Sequence, residues 1–244
     1  FLGKAKRIDI ACERYQNFCI STFSEDLNLK DIKIVFDGAN GAGYKIGPRM
    51  LTERGAEVIP IGCSPNGRNI NDGCGSTSPE ILQLTVPVVG ADVGIALDGD
   101  GDRVVMIDEL GQVVDGDQLL YIIATAVQRE GRLKVPVVGT VMSNIGLERA
   151  FDKHNIAFCR ARVGDRYVLE MLYETGGIIG GENSGHLICL DCTTTGDGLI
   201  AGLQVLEVMK KTGKTLSELC NGMVKYPQAI FNVRTEKKLD ISKS

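Results

Sequence analysis

No apolar run in the sequence approaches the roughly 20 residues that a helix needs to cross a bilayer. The longest, "LLYIIATAV" at 119–127, stops well short. No basic-then-apolar leader of the secretory kind opens the chain either. Basic charge is not in excess: 27 Lys and Arg against 31 Asp and Glu leave a net charge of −4, which provides no positive field for nucleic acid or an anionic membrane surface. Neither class of partner is expected. Histidine is scarce, with only His154 and His186. That scarcity bears on "CLDC" at 189–192, because a lone C-x-x-C needs a second pair or suitably spaced histidines to make a structural zinc site. Zinc or redox use is therefore disfavoured. The eight cysteines are scattered through a chain too long and too rich in core residues to need disulfide staples, and are expected as reduced thiols of a cytoplasmic protein.

With 43% hydrophobic and 24% charged residues in 244, the composition is that of a globular chain with room for two mid-sized domains. "DIKIVFDGANGAGYKIGPRMLTERGAEVIPI" at 31–61 predicts a buried strand (Ile32 to Phe36), a glycine-rich turn, a helix to about Arg54 and a second strand at Glu57 to Ile61. The same order recurs in "VPVVGTVMSNIGLERAFDKHNIAFCRA" at 135–161, so two similar α/β halves are expected. "SPEILQLTVP" in the first half and "GDGLIAGLQVLEVMKKTG" in the second read as helices, the latter with Leu199, Gly202, Leu203, Leu206 and Met209 at helical spacing and Gly213 as its stop. The division falls near residue 112, giving domains 1–112 and 113–244 with a linker from about 231. The turn "GANGAG" has the spacing G-x-x-G-x-G, which matches neither the dinucleotide fingerprint nor the P-loop. Tight packing is the expectation there, ahead of phosphate binding.

The stretch "ALDGDGDRVVMID" at 96–108 carries the chemistry. On a straight strand Asp98, Asp100 and Asp102 would stand roughly 6.6 Å apart in turn. Mg²⁺ holds its oxygens at about 2.1 Å, so the segment must curl to serve one ion, and Gly99 and Gly101 permit that. Converging carboxylates about 4 Å apart repel by roughly 4 kcal/mol at an effective dielectric of 20. A divalent cation removes this cost. A solvated acidic turn is the plain alternative, but Val- and Ile-rich flanks place the aspartates between buried strands. An EF-hand is a second alternative, with Asp98, Asp100, Asp102 and Glu109 at loop positions one, three, five and twelve. Against it, Arg103 occupies the position that needs glycine, and the flanks read as strands rather than helices.

Three further stretches join this loop: "GRNINDGCGSTSPE" at 67–80, "VGDRYV" at 163–168 and "GGENSGHLI" at 180–188. Together, in this order, the four motifs resemble the α-D-phosphohexomutases, and "NINDGCGST" with "GENSGH" resembles the phosphoglucosamine mutase branch. The resemblance implies four domains meeting at one cleft, the first three with an α/β core built on a mixed β-sheet flanked by helices. The present chain corresponds to the second and third. It further implies that Asp98, Asp100 and Asp102 bind Mg²⁺, and that Arg103 takes part in proton transfer or neutralises phosphoryl charge. An arginine side chain is a poor base, which favours the electrostatic part. Glu182 and Ser184 match the residues that hydrogen-bond adjacent sugar hydroxyls. Asn183 stands where the branch carries glutamine. His186 is either a packing residue or a ligand contact, and Asp165 stands where some related mutases have histidine, the aspartate being what the resemblance implies for the phosphoglucosamine mutase branch. Arg166 is either a phosphate contact or a surface ion pair.

The family's phosphoserine loop and its fourth-domain phosphate loop have no counterpart in the sequence. With the start at Phe1 and the end at "KKLDISKS", the chain reads as an excised piece, missing the first and fourth domains. For the whole protein the resemblance implies conversion of glucosamine 6-phosphate to glucosamine 1-phosphate through a phosphoserine and a 1,6-bisphosphate, which acts as activator and intermediate. That product feeds peptidoglycan precursor synthesis. The piece alone is expected to be inactive. The alternatives are a phosphomannomutase/phosphoglucomutase-type enzyme and a non-catalytic metal- or sugar-phosphate-binding module.

Overall fold

The computed structural model describes residues 10–229 together with Gly3 and Ile8. The expected linker from about 231 lies outside the described residues. Helix α1 (Ala11–Ser21) leads to the first β-α-β unit, formed by β1 (Lys33–Asp37), α2 (Ile46–Glu53) and β2 (Glu57–Ile61), with the two strands parallel. After α3 (Glu80–Val88) come β3 (Val93–Leu97), β4 (Val104–Ile107) and β5 (Val113–Val114). They complete a sheet in the order β2-β1-β3-β4-β5, in which β3 runs parallel to β1 and β4 returns antiparallel. Both β3 and β4 are buried throughout, which explains their unbroken apolar sequence. The first sheet thus extends to Val114, just past the expected division.

The second sheet repeats the plan. Helix α4 (Gly116–Arg129) precedes β6 (Val137–Thr140), α5 (Ile145–Lys153), β7 (Phe158–Ala161), α6 (Asp165–Thr175), β8 (Ile179–Gly181) and β9 (Leu187–Cys189). Strand order is β7-β6-β8-β9, again a parallel trio closed by one antiparallel hairpin. Helices α7 (Gly198–Thr212) and α8 (Leu216–Cys220) follow. Side-chain caps set several starts: Asp115 and Gln118 form a capping box on α4, Asn144 caps α5 and Asp197 caps α7. Gly213, at φ 64°, ends α7 as the sequence predicts.

Packing unites the two sheets. Helix α3 covers one face of the first through Leu82 and Val86, and α6 covers one face of the second through Val168 and Leu172. Between the other faces lies one continuous core that includes α4 and α7. Helix α7 touches β3 and β4 of the first sheet as well as β9 and α4. A helix so enclosed is apolar on most sides, and α7 is buried at nearly every position from Gly198 to Met209, with its one buried charge, Glu207, accepting from the Ser24 hydroxyl. The same reason accounts for "LLYIIATAV", which is the body of α4. Each buried Leu or Ile there contributes about 1.5–3 kcal/mol.

Candidate functional site

Residues 98–103 connect β3 to β4, whose terminal pair is Leu97 and Val104. The loop curls. Gly101 lies in the left-handed region at φ 79° and its amide donates to the Asp98 carbonyl at 3.2 Å, a turn that an L side chain would strain. Asp98, Asp100 and Asp102 thereby each bring an oxygen within 4.8 Å of the others. Asp98 is 7% exposed, and burial, reinforced by Asp102 and Asp100, pushes its carboxyl above the ordinary range, while a 3.1 Å hydrogen bond from the Arg103 amide opposes this. The Arg103 Nε lies 3.8 Å from Asp98 Oδ2 and 3.9 Å from Asp102 Oδ1. One half-exposed guanidinium leaves most of this negative charge uncompensated. An oxygen-only donor set of this kind suits a hard cation such as Mg²⁺, so the residues fit the ion the family implies.

Neighbouring motifs hold the loop in place. The Ala42 amide, in "GANGAG", donates to the Gly99 carbonyl at 2.8 Å, and a Cβ on Gly41 would stand 2.2 Å from that same oxygen. The amides of Ala39, Asn40 and Gly41 are also taken by protein acceptors, as the packing reading requires. Buried Asp37 accepts from Ala39 and Gly75, linking this turn to the "NINDGCGST" segment. Glu109 faces the other way: its carboxylate accepts from the Ser217 hydroxyl at 2.5 Å. With strands on both sides of the loop, that orientation rules out the EF-hand.

Residues 182–186 connect β8 to β9 and meet the acidic loop directly. Arg103 and His186 form an isolated antiparallel bridge, and the Val104 amide donates to the Gly185 carbonyl at 3.0 Å. Glu182, 8% exposed, accepts from the Gly164 amide at 2.9 Å, which ties it to "VGDRYV". Asn183 and Ser184 are exposed. Buried His186 places its ring between two carboxylates, Nδ1 3.3 Å from Asp102 Oδ2 in the acidic loop and Nε2 4.0 Å from Asp165 Oδ2 at the start of α6. Arg166 pairs with Glu170 at 2.8 Å, one turn along α6, on a side chain 81% exposed. All six sequence-selected residues, Asp98, Asp100, Asp102, Arg103, Glu182 and Ser184, thus lie on two abutting hairpin loops.

Sequence reasoning missed two neighbours. A cavity of about 340 Å³ beside the acidic loop is lined by Asp100 and Asp102 and also by Tyr15 and Asp197. Asp197 was detectable as an N-cap before the helical spacing of α7, whereas Tyr15 had no local signal. The C-x-x-C pair is chemically quiet: burial pushes both thiols up, Cys192 to about 11, so they stay protonated at neutral pH.

Two like α/β modules thus set a trio of aspartates and "GENSGH" on abutting hairpin loops. The family model described as phosphoglucomutase/phosphomannomutase, alpha/beta/alpha domain II, matches residues 13–111, and that of domain III matches residues 115–226. The chain belongs to the phosphoglucomutase/phosphomannomutase family. Among curated relatives, the phosphoglucosamine mutase of Azoarcus sp. (strain BH72) is 56% identical over 98% of this chain and 53% of its own length. That of Aeromonas hydrophila is 58% identical over 96% of this chain and 52% of its own. The chain therefore spans about half the length of the curated relatives it matches. A solved phosphoglucomutase/phosphomannomutase family protein from Burkholderia thailandensis superposes with a TM-score of 0.75 at 25% identity, covering 92% of this chain and 48% of that one. Aspergillus fumigatus N-acetylphosphoglucosamine mutase, solved with GlcNAc-6P and magnesium, shares the fold with a TM-score of 0.68 at 20% identity, over 87% of this chain and 54% of that one.

Proposed function

We propose that the chain supplies the two central domains of a cytoplasmic phosphoglucosamine mutase, with residues 1–112 carrying the metal loop and residues 113–244 the sugar-recognition loop. The observation that carries this reading is the bridge between Arg103 and His186, which sets the aspartate loop against "GENSGH". The high identity to phosphoglucosamine mutases supports the amino-sugar substrate. Magnesium in the Aspergillus enzyme, together with the converging carboxylates here, supports Mg²⁺ at Asp98, Asp100 and Asp102. When bound, the ion supplies charge neutralisation for a phosphoryl group in transfer.

The chain's own residues do the rest. Arg103, half-exposed beside the trio, offers a fixed positive charge to phosphoryl oxygens. Glu182, oriented by the Gly164 amide, accepts from sugar hydroxyls, and the exposed Ser184 donates or accepts beside it. In the whole protein, a phosphoserine of the first domain transfers its phosphoryl group to O1 of glucosamine 6-phosphate. The resulting 1,6-bisphosphate returns its other phosphoryl group to the serine and leaves as glucosamine 1-phosphate.

A ³¹P NMR experiment tests the proposal. With Mg²⁺, the chain should bind glucosamine 6-phosphate in preference to mannose 6-phosphate and, given a trace of 1,6-bisphosphate, should turn none over. Preference for the mannose compound would move the assignment to a phosphomannomutase. Turnover that survives purification would sink the two-domain reading, and metal binding without any sugar-phosphate binding would leave only a metal-binding module.

A further inference from the structure

We infer that Tyr15 and Asp197 are positioning residues that set the geometry of the acidic loop, an inference that rests on reading Asp98, Asp100 and Asp102 as a metal site. The contacts form a chain of single hydrogen bonds. The Tyr15 hydroxyl donates to Asp197 Oδ2 at 2.7 Å. Asp197 Oδ1 accepts from the Ile200 amide at 3.0 Å and so fixes the start of α7. The first amide of that helix, Gly198, donates to the carbonyl of Gly101 at 2.9 Å. Gly101 is the left-handed residue between Asp100 and Asp102, so its peptide orientation sets where those two carboxylates point.

The arrangement spans the molecule. Tyr15 lies on α1 and Asp197 precedes α7, and both line the cavity beside the acidic loop with Asp100 and Asp102. Burial, and next the Asp197 charge, push the Tyr15 hydroxyl well above its ordinary range, so it stays a donor at every working pH. Close packing gives the clamp little slack, since a Cβ on Gly198 would stand 2.6 Å from the Arg103 carbonyl oxygen. Groups that orient metal ligands through hydrogen bonds typically alter affinity 10–100-fold, and a residue one step further out should do less.

The test is a Mn²⁺ titration of the 244-residue chain, read by the EPR signal of the free ion. Tyr15→Phe should weaken binding about threefold to tenfold. Asp197→Asn keeps an oxygen for the helix cap but loses the acceptor for Tyr15, so it should match Tyr15→Phe, and the double variant should be no worse than either. Thermal melts without metal should stay close to wild type in both single variants, which separates positioning from general loosening. Wild-type affinity in Tyr15→Phe, or additive losses in the double variant, would overturn the clamp. A wild-type chain that binds no Mn²⁺ would instead overturn the metal reading, and this inference with it.

Discussion

Residues 98–103 and 182–186 close corresponding hairpins, β3–β4 and β8–β9, at the same place in two sheets of one plan. The first gathers three carboxylates that share one half-exposed guanidinium, and burial lifts Asp98 above its ordinary range. In the second, the one buried carboxylate, Glu182, is satisfied by a backbone amide. One loop is thus charge-loaded and calls for a cation, while the other holds its single carboxylate on a backbone amide and offers its surface. Similar backbone frames carry different loads of carboxylate, and the bridge at Arg103 and His186 brings the two loops into contact.

The largest effect should come from breaking the contact itself. Gly185 combines φ 96° with a Cβ position only 2.2 Å from the Val104 carbonyl oxygen. Gly185→Ala should therefore cost about 3 kcal/mol or more in urea unfolding. A smaller loss would mean that the hairpins only brush one another.

The support of the second hairpin gives the next effect. The Gly116 amide holds the Asn183 carbonyl, and the adjacent Asp117 is 1% exposed, with Oδ1 lacking a partner and Oδ2 accepting from the Asn144 amide at 2.7 Å. Burial raises its carboxyl from 3.8 to about 6. A raised acid binds its proton more readily in the folded form, so this contribution to stability is complete below about 3.8 and lost as pH rises through about 6. Between pH 4 and 7.5, wild type should lose up to about 3 kcal/mol relative to Asp117→Asn. Parallel pH dependences would show that Asp117 is hydrated in solution.

The contrast in charge predicts a metal response on one side only. Mg²⁺ at ten times its dissociation constant should stabilise the chain by about 1.4 kcal/mol, a shift of a few degrees in melting temperature. Asp100→Asn should diminish the shift, whereas Glu182→Ala should retain it while weakening glucosamine 6-phosphate binding. Equal shifts in both variants would erase the distinction between the loops. Smallest of all, Arg166→Ala removes an exposed pair with Glu170 and should leave urea unfolding indistinguishable from wild type. A large loss of sugar-phosphate affinity there would instead make Arg166 a phosphate contact.

Periodicity made the two β-α-β units legible, and β2 falls where the sequence placed it, at Glu57–Ile61. The acidic loop was legible as well, because alternate aspartates on a strand are useless to one ion unless the intervening glycines curl them together. Helices α1, α4 and α6 were less readable. Helix α1 buries only Gln16 and Cys19 and so carries a faint stripe, while α4 is enclosed on most sides and shows a run instead of a period. Contacts such as His186 with Asp102, or Tyr15 with Asp197, join residues far apart in the chain and leave no local trace.

Helix α7 completes the core of the first sheet although it follows the whole second sheet in the chain. Sequence distance here becomes time on the ribosome. At 5–20 residues per second, roughly 5–20 s pass between the synthesis of β4 and that of α7. Throughout that interval the apolar face made by Ile95, Leu97, Val104 and Met106 lacks its final cover. The nascent first module must wait, exposed, for its last piece, and a released chain truncated near residue 190 should bind hydrophobic dyes or chaperones that one ending near residue 229 does not.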